Sequence, residues 1–251
     1  MDRGMTQDPE HDVPSSAPPT TLSMDRRIAI LRRRLVREAS VAIAMLEASV
    51  DALFRLDVEA ARGVRRQDDR VDQEEVEIEQ ECYALITLHN PFARDFRTLA
   101  FILKANGEVE RVADHACSIA KVTLRVRELL GDQAPAPKWP TALAELAQRV
   151  PLMCHELMRI VLAEDVDAAR GLVSSDRTID TLDRQLFQEV AEWMDARPAG
   201  DATSAVGLLM YRAGRELERV GDLMAGIAED IVYLATGSII RHEKRRLRPR
   251  V

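Results

Sequence analysis

Glu108-Val-Glu-Arg-Val-Ala-Asp114 returns as Glu216-Leu-Glu-Arg-Val-Gly-Asp222, 108 residues further on, with five identities in seven positions. The same offset carries Asp57-Val-Glu-Ala-Ala-Arg-Gly63 onto Asp165-Val-Asp-Ala-Ala-Arg-Gly171 with six identities, and Asp68, Asp72 and Glu75 onto Asp176, Asp180 and Asp183. No gap is needed, so the chain reads as two copies of one supersecondary unit. Apolar core residues drift between such copies as long as volume is kept. Acids retained four residues apart need another reason, and a function is sought there.

Around these stretches apolar residues recur at helical spacing. Ile28, Leu31, Leu35, Ala42, Met45 and Leu46 predict a helix from about Asp25 to Phe54. Asp57 is placed to cap a second helix, with Glu59 in its first turn, lasting to His89. Asn90-Pro91 reads as a restart, with Asn as cap and Pro at the first helical position of a third helix from Phe92 to Leu130. The second half repeats the plan over Thr141–Ala163, Asp165–Ala196 and Asp201–Thr236, broken at Arg197-Pro198-Ala-Gly200. No segment alternates apolar and polar residues over a strand length. Short connections make successive helices antiparallel neighbours. The expectation is an all-α protein of two tandem three-helix up-down-up bundles, over residues 24–130 and 141–237. Residues 131–140, with Pro135, Pro137 and Pro140, form the linker. Residues 1–23, rich in Pro and polar residues, are expected to be disordered.

Composition fits this: 46% apolar and 31% charged, with few aromatics, favours helix over sheet. The net charge of −7 disfavours binding to nucleic acid or an anionic membrane. That balance hides a basic end, since residues 241–251 carry +5 and the remainder −12. The tail at 238–251 reads as a solvated end, with contact to anionic lipid or nucleic acid as the sharper option. Cys82, Cys117 and Cys154 are odd in number and widely spaced, which makes neither a disulfide framework nor a Cys-x-x-Cys site. Buried free thiols in a reducing compartment are expected. With no signal-peptide pattern and no apolar run of membrane-spanning length, the expected location is the cytoplasm.

Helical geometry locates the acids. Val109, Val112, Ala116 and Ile119 form the apolar stripe of the third helix, which turns Glu110 and Asp114 together and outward. Asp68 and Asp72 lie 22 and 18 residues before Asn90, and Glu110 and Asp114 lie 20 and 24 after it. In antiparallel helices these four share one level. Asp176, Asp180, Glu218 and Asp222 obey the same arithmetic about a hinge near Ala199. Like charges at i, i+4 repel by a few tenths of a kcal/mol per pair. A bound cation would relieve this, and all-oxygen ligands suit magnesium, calcium, manganese or iron. The competing reading is a solvated acidic face screened by Arg97, Arg111 or Arg219. A di-iron oxidoreductase or ferritin-like storage bundle would need Glu-x-x-His pairs aimed inward, and none stands beside these acids. His115 reads as a surface or flank histidine, its counterpart being Leu223. No phosphate loop or nucleophile constellation is visible, so no enzymatic activity is expected.

Glu110-Arg-Val-Ala-Asp114-His-Ala-Cys-Ser-Ile-Ala120, Glu218-Arg-Val-Gly-Asp222-Leu-Met-Ala-Gly-Ile-Ala228 and Pro91-Phe-Ala-Arg-Asp95-Phe-Arg97 resemble motifs of the PhoU family of bacterial phosphate-signalling proteins. The resemblance covers about residues 25 to 237. It implies surface clusters of iron, zinc, manganese or magnesium, one on Asp68, Asp72, Glu110 and Asp114 and the other on Asp176, Asp180, Glu218 and Asp222. It also implies an adaptor without catalysis, a homodimer in the expected case. Such an adaptor would act between the ATPase of the phosphate ABC transporter (PstB-type) and a sensor histidine kinase (PhoR-type), restraining phosphate uptake and the phosphate-starvation response. Contact with the membrane would be indirect, through these partners. Ser118, Gly226, Ala113 and Leu223 depart from the family pattern, which implies weaker metal binding at the second site. A metal-free helical scaffold remains the plainer alternative.

Overall fold

A computed structural model of the chain describes residues 23–197 and 201–237, with only the backbone at positions 176 and 201. These residues form seven helices and no strand: α1 (Met24–Arg55), α2 (Val58–Arg65), α3 (Asp68–His89), α4 (Ala93–Leu130), α5 (Thr141–Ala163), α6 (Val166–Asp195) and α7 (Asp201–Thr236). The readings for residues 1–22, 198–200 and 238–251 lie outside the described residues.

The duplication is visible in the caps. α1 and α5 end on Leu56 and Glu164, both left-handed at φ 53°. Asp57 and Asp165 follow, and each carboxylate accepts a 2.9 Å hydrogen bond, from the N–H of Ala60 and of Ala168. A side chain with a Cβ costs roughly 1–2 kcal/mol in the left-handed region, so the tight αL turn is held by its surroundings, Leu56 being buried.

Two expectations are corrected. The helix expected from Asp57 to His89 is interrupted at Arg66-Gln67. There Gln67 N–H donates to Val64 and Arg70 N–H to Gln67, in place of the four-residue ladder. α6 runs unbroken through the matching positions, and nothing in the sequence explains the difference, since Gly63 and Gly171 are equivalent. Asn90 ends α3 rather than starting α4. It adopts the left-handed conformation (φ 44°) as C-cap, one that Asn tolerates better than most residues. Pro91 disfavours a helical Asn90, and α4 restarts only at Ala93.

α4 packs against α1, α2 and α3, and α7 packs against α5 and α6. The halves are not separate bodies. α4 lies against α7 and α1 against α5, and one continuous apolar cluster runs from Ile28 to Val232. Lys104 Nζ reaches Asp230 at 2.6 Å and His115 Nδ1 reaches Glu216 at 2.7 Å, which sets α4 and α7 antiparallel.

Three glycines decide how closely α7 approaches α6. Gly207, Gly214 and Gly221 recur every seven residues, a repeat that keeps one face of α7 toward its neighbour. A Cβ at these positions would stand 2.6 Å from Met194 Cγ, 2.0 Å from Leu186 Cδ2 and 3.2 Å from Ile179 Cγ2. The first half carries Leu99, Asn106 and Ala113 there and has no such contact line. Gly214→Leu should therefore destabilise the protein by about 2–3 kcal/mol through overpacking, read as a lower denaturant midpoint at unchanged slope.

Candidate metal-binding clusters

α3 has two acidic flanks with different fates. Glu74, Glu77 and Glu81 face α1, where Arg34 binds them at 2.9, 2.8 and 3.1 Å and Arg37 adds a 3.0 Å contact to Glu74. Asp68, Asp72 and Glu75 lie on the opposite flank, toward α4. Asn106 Nδ2 donates to the Glu75 carbonyl at 2.8 Å and fixes the antiparallel register. One turn beyond that contact, Asp68 and Asp72 come level with Glu110 and Asp114.

The acids act on one another's ionisation. Burial, then Asp114, Asp72, Glu75 and Asp68 in that order, raise the Glu110 carboxyl to about 7. Asp72 is raised by burial, then by Asp68 and Asp114. Glu75 is raised by burial, then by Glu79 and Asp72. Asp68 and Glu110 are half-buried and Asp72 and Asp114 exposed, and Asp68 Oδ1 is buried without a hydrogen-bond partner. Glu110 is thus less outward than its helical angle implies, because α3 leans over it. The four acids expected for the first cluster lie within electrostatic reach of one another, but no three of them bring a carboxylate oxygen within 4.8 Å of the others.

Glu38 was not anticipated. It sits in the core face of α1 at 3% exposure, with neither carboxylate oxygen hydrogen-bonded. Burial, then Glu74 and Glu75, push it up to about 8, against the opposing pull of Arg34, and Glu110 adds to the rise. The signal was available: Glu38 stands three residues after Leu35 and four before Ala42, on the apolar stripe. Its counterpart in the second half is Leu146, buried in the ordinary way.

In the second cluster one carboxylate oxygen from each of Asp180, Glu218 and Asp222 lies within 4.8 Å of the others. Asp176 occupies the expected place on α6, but its side chain lies outside the described residues. Glu218 is raised by burial and by Asp222, and Asp222 by burial and by Asp180, while Arg215 pulls both down. Arg215 Nη1 reaches Asp183 Oδ2 at 3.2 Å and Glu218 Oε1 at 3.1 Å. Asp183 Oδ1 and Glu218 Oε2 are buried without a partner.

Of the expected screening arginines, Arg111 binds Glu108 at 3.1 Å, Arg219 lies 3.8 Å from Glu216, and Arg97 Nε is buried without a hydrogen-bond partner. His115 is not a surface residue. It lies on the flank of α4, largely enclosed between the halves against Glu216, which burial would raise but which the His115 hydrogen bond and charge hold below the usual range. The sequence hid this because it takes α4 against α7 to bring residues 101 apart into contact. His115→Leu should cost about 1.5–3 kcal/mol above pH 5 by removing a hydrogen bond to a charged group. That loss should shrink as pH falls through the depressed Glu216 value, where protonation removes the charge; thermal melts at several pH values would read it. All three cysteines are free and buried, each thiol pushed up to about 12, chiefly by burial. Among the described residues no helix is long and apolar enough to cross a membrane.

The family model for the PhoU domain matches this chain twice, over residues 35–123 and 143–231. The "Phosphate-specific transport system accessory protein PhoU homolog" of Deinococcus radiodurans is 33% identical over 194 residues, covering 77% of this chain and 87% of that protein. The crystal structure of PhoU from Pseudomonas aeruginosa superposes with a TM-score of 0.79 at 25% identity, covering 86% of this chain and all of that one. The phosphate transport system regulatory protein PhoU from Streptococcus pneumoniae, 23% identical, shares the fold with a TM-score of 0.77 over 87% of this chain and 99% of that one.

Proposed function

Since this chain belongs to the PhoU family, we propose that it is a metal-dependent accessory regulator of phosphate transport. On this reading it restrains uptake and phosphate-starvation signalling by contacting a PstB-type transporter ATPase and a PhoR-type sensor kinase. The reading rests chiefly on one observation. Acids from distant stretches of sequence converge between paired helices in both halves, with buried carboxylate oxygens that no protein donor satisfies. Orphaned, all-oxygen acceptors fit a hard cation such as magnesium, manganese or iron. Asp68, Asp72, Glu110 and Asp114 would hold one, and Asp180, Glu218 and Asp222, with Asp176, the other. A bound cation would supply positive charge and no chemistry of its own. The chain's residues fix the helix pairs that carry it, so loading would stiffen the α3–α4 and α6–α7 contacts presented to a partner.

The role is regulatory, not enzymatic. Deleting the gene in its source bacterium should raise phosphate uptake and phosphate-regulon expression in phosphate-rich medium. The wild-type gene should reverse this, and a copy carrying Asp72→Asn, Glu110→Gln and Asp114→Asn should not. Unchanged uptake and expression in the deletion strain would sink the proposal. Co-purification from the same strain tests the ATPase and kinase as partners.

A further inference from the structure

Aligning the two clusters residue by residue exposes an asymmetry. Arg215 of the second cluster corresponds to Gly107 of the first, where a Cβ would meet nothing within 4 Å. Conversely, Glu38 of the first corresponds to the buried Leu146 of the second. The second cluster has an arginine where the first has glycine, and a buried leucine where the first has a buried glutamate. Arg34, the arginine that lowers the Glu38 carboxyl, is committed to Glu74, Glu77 and Glu81, and Arg37, next to Glu38 in sequence, is committed to Glu74.

We propose that duplication gave the two clusters different counter-cations: Arg215 is the built-in cation of the second, while the first, completed by Glu38, is the high-affinity site for an added divalent metal ion. The metal half of this claim rests on the reading under Proposed function.

Geometry and electrostatics agree. Among the described residues, Asp180, Glu218 and Asp222 form the trio of carboxylates within 4.8 Å, and they do so beside a guanidinium held at 3.1 and 3.2 Å from Glu218 and Asp183. A cation so placed offsets the repulsion that would keep three acids apart. The glycine line of α7 permits the approach, and Arg215 makes it tolerable. That same guanidinium repels any metal ion arriving there.

In the first cluster Gly107 leaves the place of Arg215 open, and Arg34 and Arg37, two of the arginines near Glu38, are engaged with Glu74, Glu77 and Glu81. Glu38 is more than nine-tenths buried, both its oxygens lack a donor, and Glu75 and Glu110 are among the charges it feels. A carboxylate enclosed in this way, with Glu75 and Glu110 near enough to raise it, gains most from a cation brought to it.

The test uses the full chain, stripped with EDTA and dialysed, and counts bound Mn²⁺ by electron paramagnetic resonance near pH 7.5. Wild type should show a tight class and a weak class. Gly107→Arg and Glu38→Leu should each weaken the tight class, whereas Arg215→Met, which keeps the apolar stem, should tighten the weak class at least about tenfold. Asp180→Asn with Asp222→Asn should abolish the weak class alone. A second measurement needs no metal: in EDTA, Arg215→Met should lower the melting temperature, and Gly107→Arg should raise or preserve it. Circular dichroism shows whether each variant folds. A weak class unmoved by Arg215→Met, or a tight class unmoved by Gly107→Arg, overturns the inference and leaves metal binding standing. No Mn²⁺ bound by wild type overturns the metal reading itself, and the melting arm then decides the role of Arg215: an unchanged melting temperature in Arg215→Met removes that as well.

Discussion

Replacing Glu38 by leucine, the residue the second half carries at the same place, should stabilise the metal-free protein, and more so as pH rises. Folding removes this carboxyl from water, offers it no hydrogen-bond donor and surrounds it with Glu74, Glu75 and Glu110, with Arg34 as the opposing cation. The result is a value of about 8 in the folded state against 4.5 in a free chain. Between these two values the folded protein holds a proton that the unfolded chain has lost. Stability therefore falls as pH rises from about 4.5 through 8, and the full penalty is present above 8. A shift of this size corresponds to roughly 4–5 kcal/mol. Denaturant titrations in EDTA at pH 5.5 and 8.5 would measure it. The Glu38→Leu protein should gain modestly at the lower pH and by several kcal/mol at the higher. A residual slope from Glu110, itself raised to about 7, should survive. Equal gains at both pH values would mean that Glu38 does not titrate as described.

Adding Mn²⁺ should recover much of what that carboxylate cluster costs. A ligand that binds only the folded state stabilises by about 2.7 kcal/mol at a hundred times its dissociation constant. For a chain of this length that is a rise in melting temperature of roughly 5–10 °C. The effect should shrink below pH 7, because the proton that Glu110 takes up competes with the metal for the same oxygens. It should fall to the small contribution of the second cluster in the combined Asp72→Asn, Glu110→Gln, Asp114→Asn protein, which should itself be more stable than wild type in EDTA. Calorimetric melts with and without Mn²⁺, at pH 6 and pH 8, separate these outcomes. A shift of equal size in the acid-depleted protein would place the metal elsewhere. Together the two experiments ask whether the acids around α3 and α4 are a cost that a cation removes or an ordinary charged surface.

Much of the local structure was written in short-range patterns. Asp57 and Asp165 announced their caps because a carboxylate two or three residues before an apolar-periodic run can reach a free N–H. Pro91 announced the end of α3 because its ring forbids helix at the preceding residue. The role of Asn90 was misread for a related reason: the same side chain suits the start of one helix and the left-handed end of another, and only the φ angle distinguishes them. The break at Arg66-Gln67 had no legible cause at all.

The sequence by itself determined the helices, the duplication, and the level at which Asp68, Asp72, Glu110 and Asp114 meet, because one rise per residue on antiparallel helices ties axial height to residue number. Tertiary structure alone decided what surrounds them. Glu38 comes within reach of Glu75 and Glu110 only because α1 lies against α3 and α4, and His115 is enclosed only because α4 packs on α7. Arg215 reaches Asp183 as well as Glu218 because α7, with Gly207, Gly214 and Gly221 toward α6, packs close against it. Spacing along one helix fixes height and face, but the charge a carboxylate meets is set by whichever helix comes to rest against it, and that choice is made by the packing of the whole core.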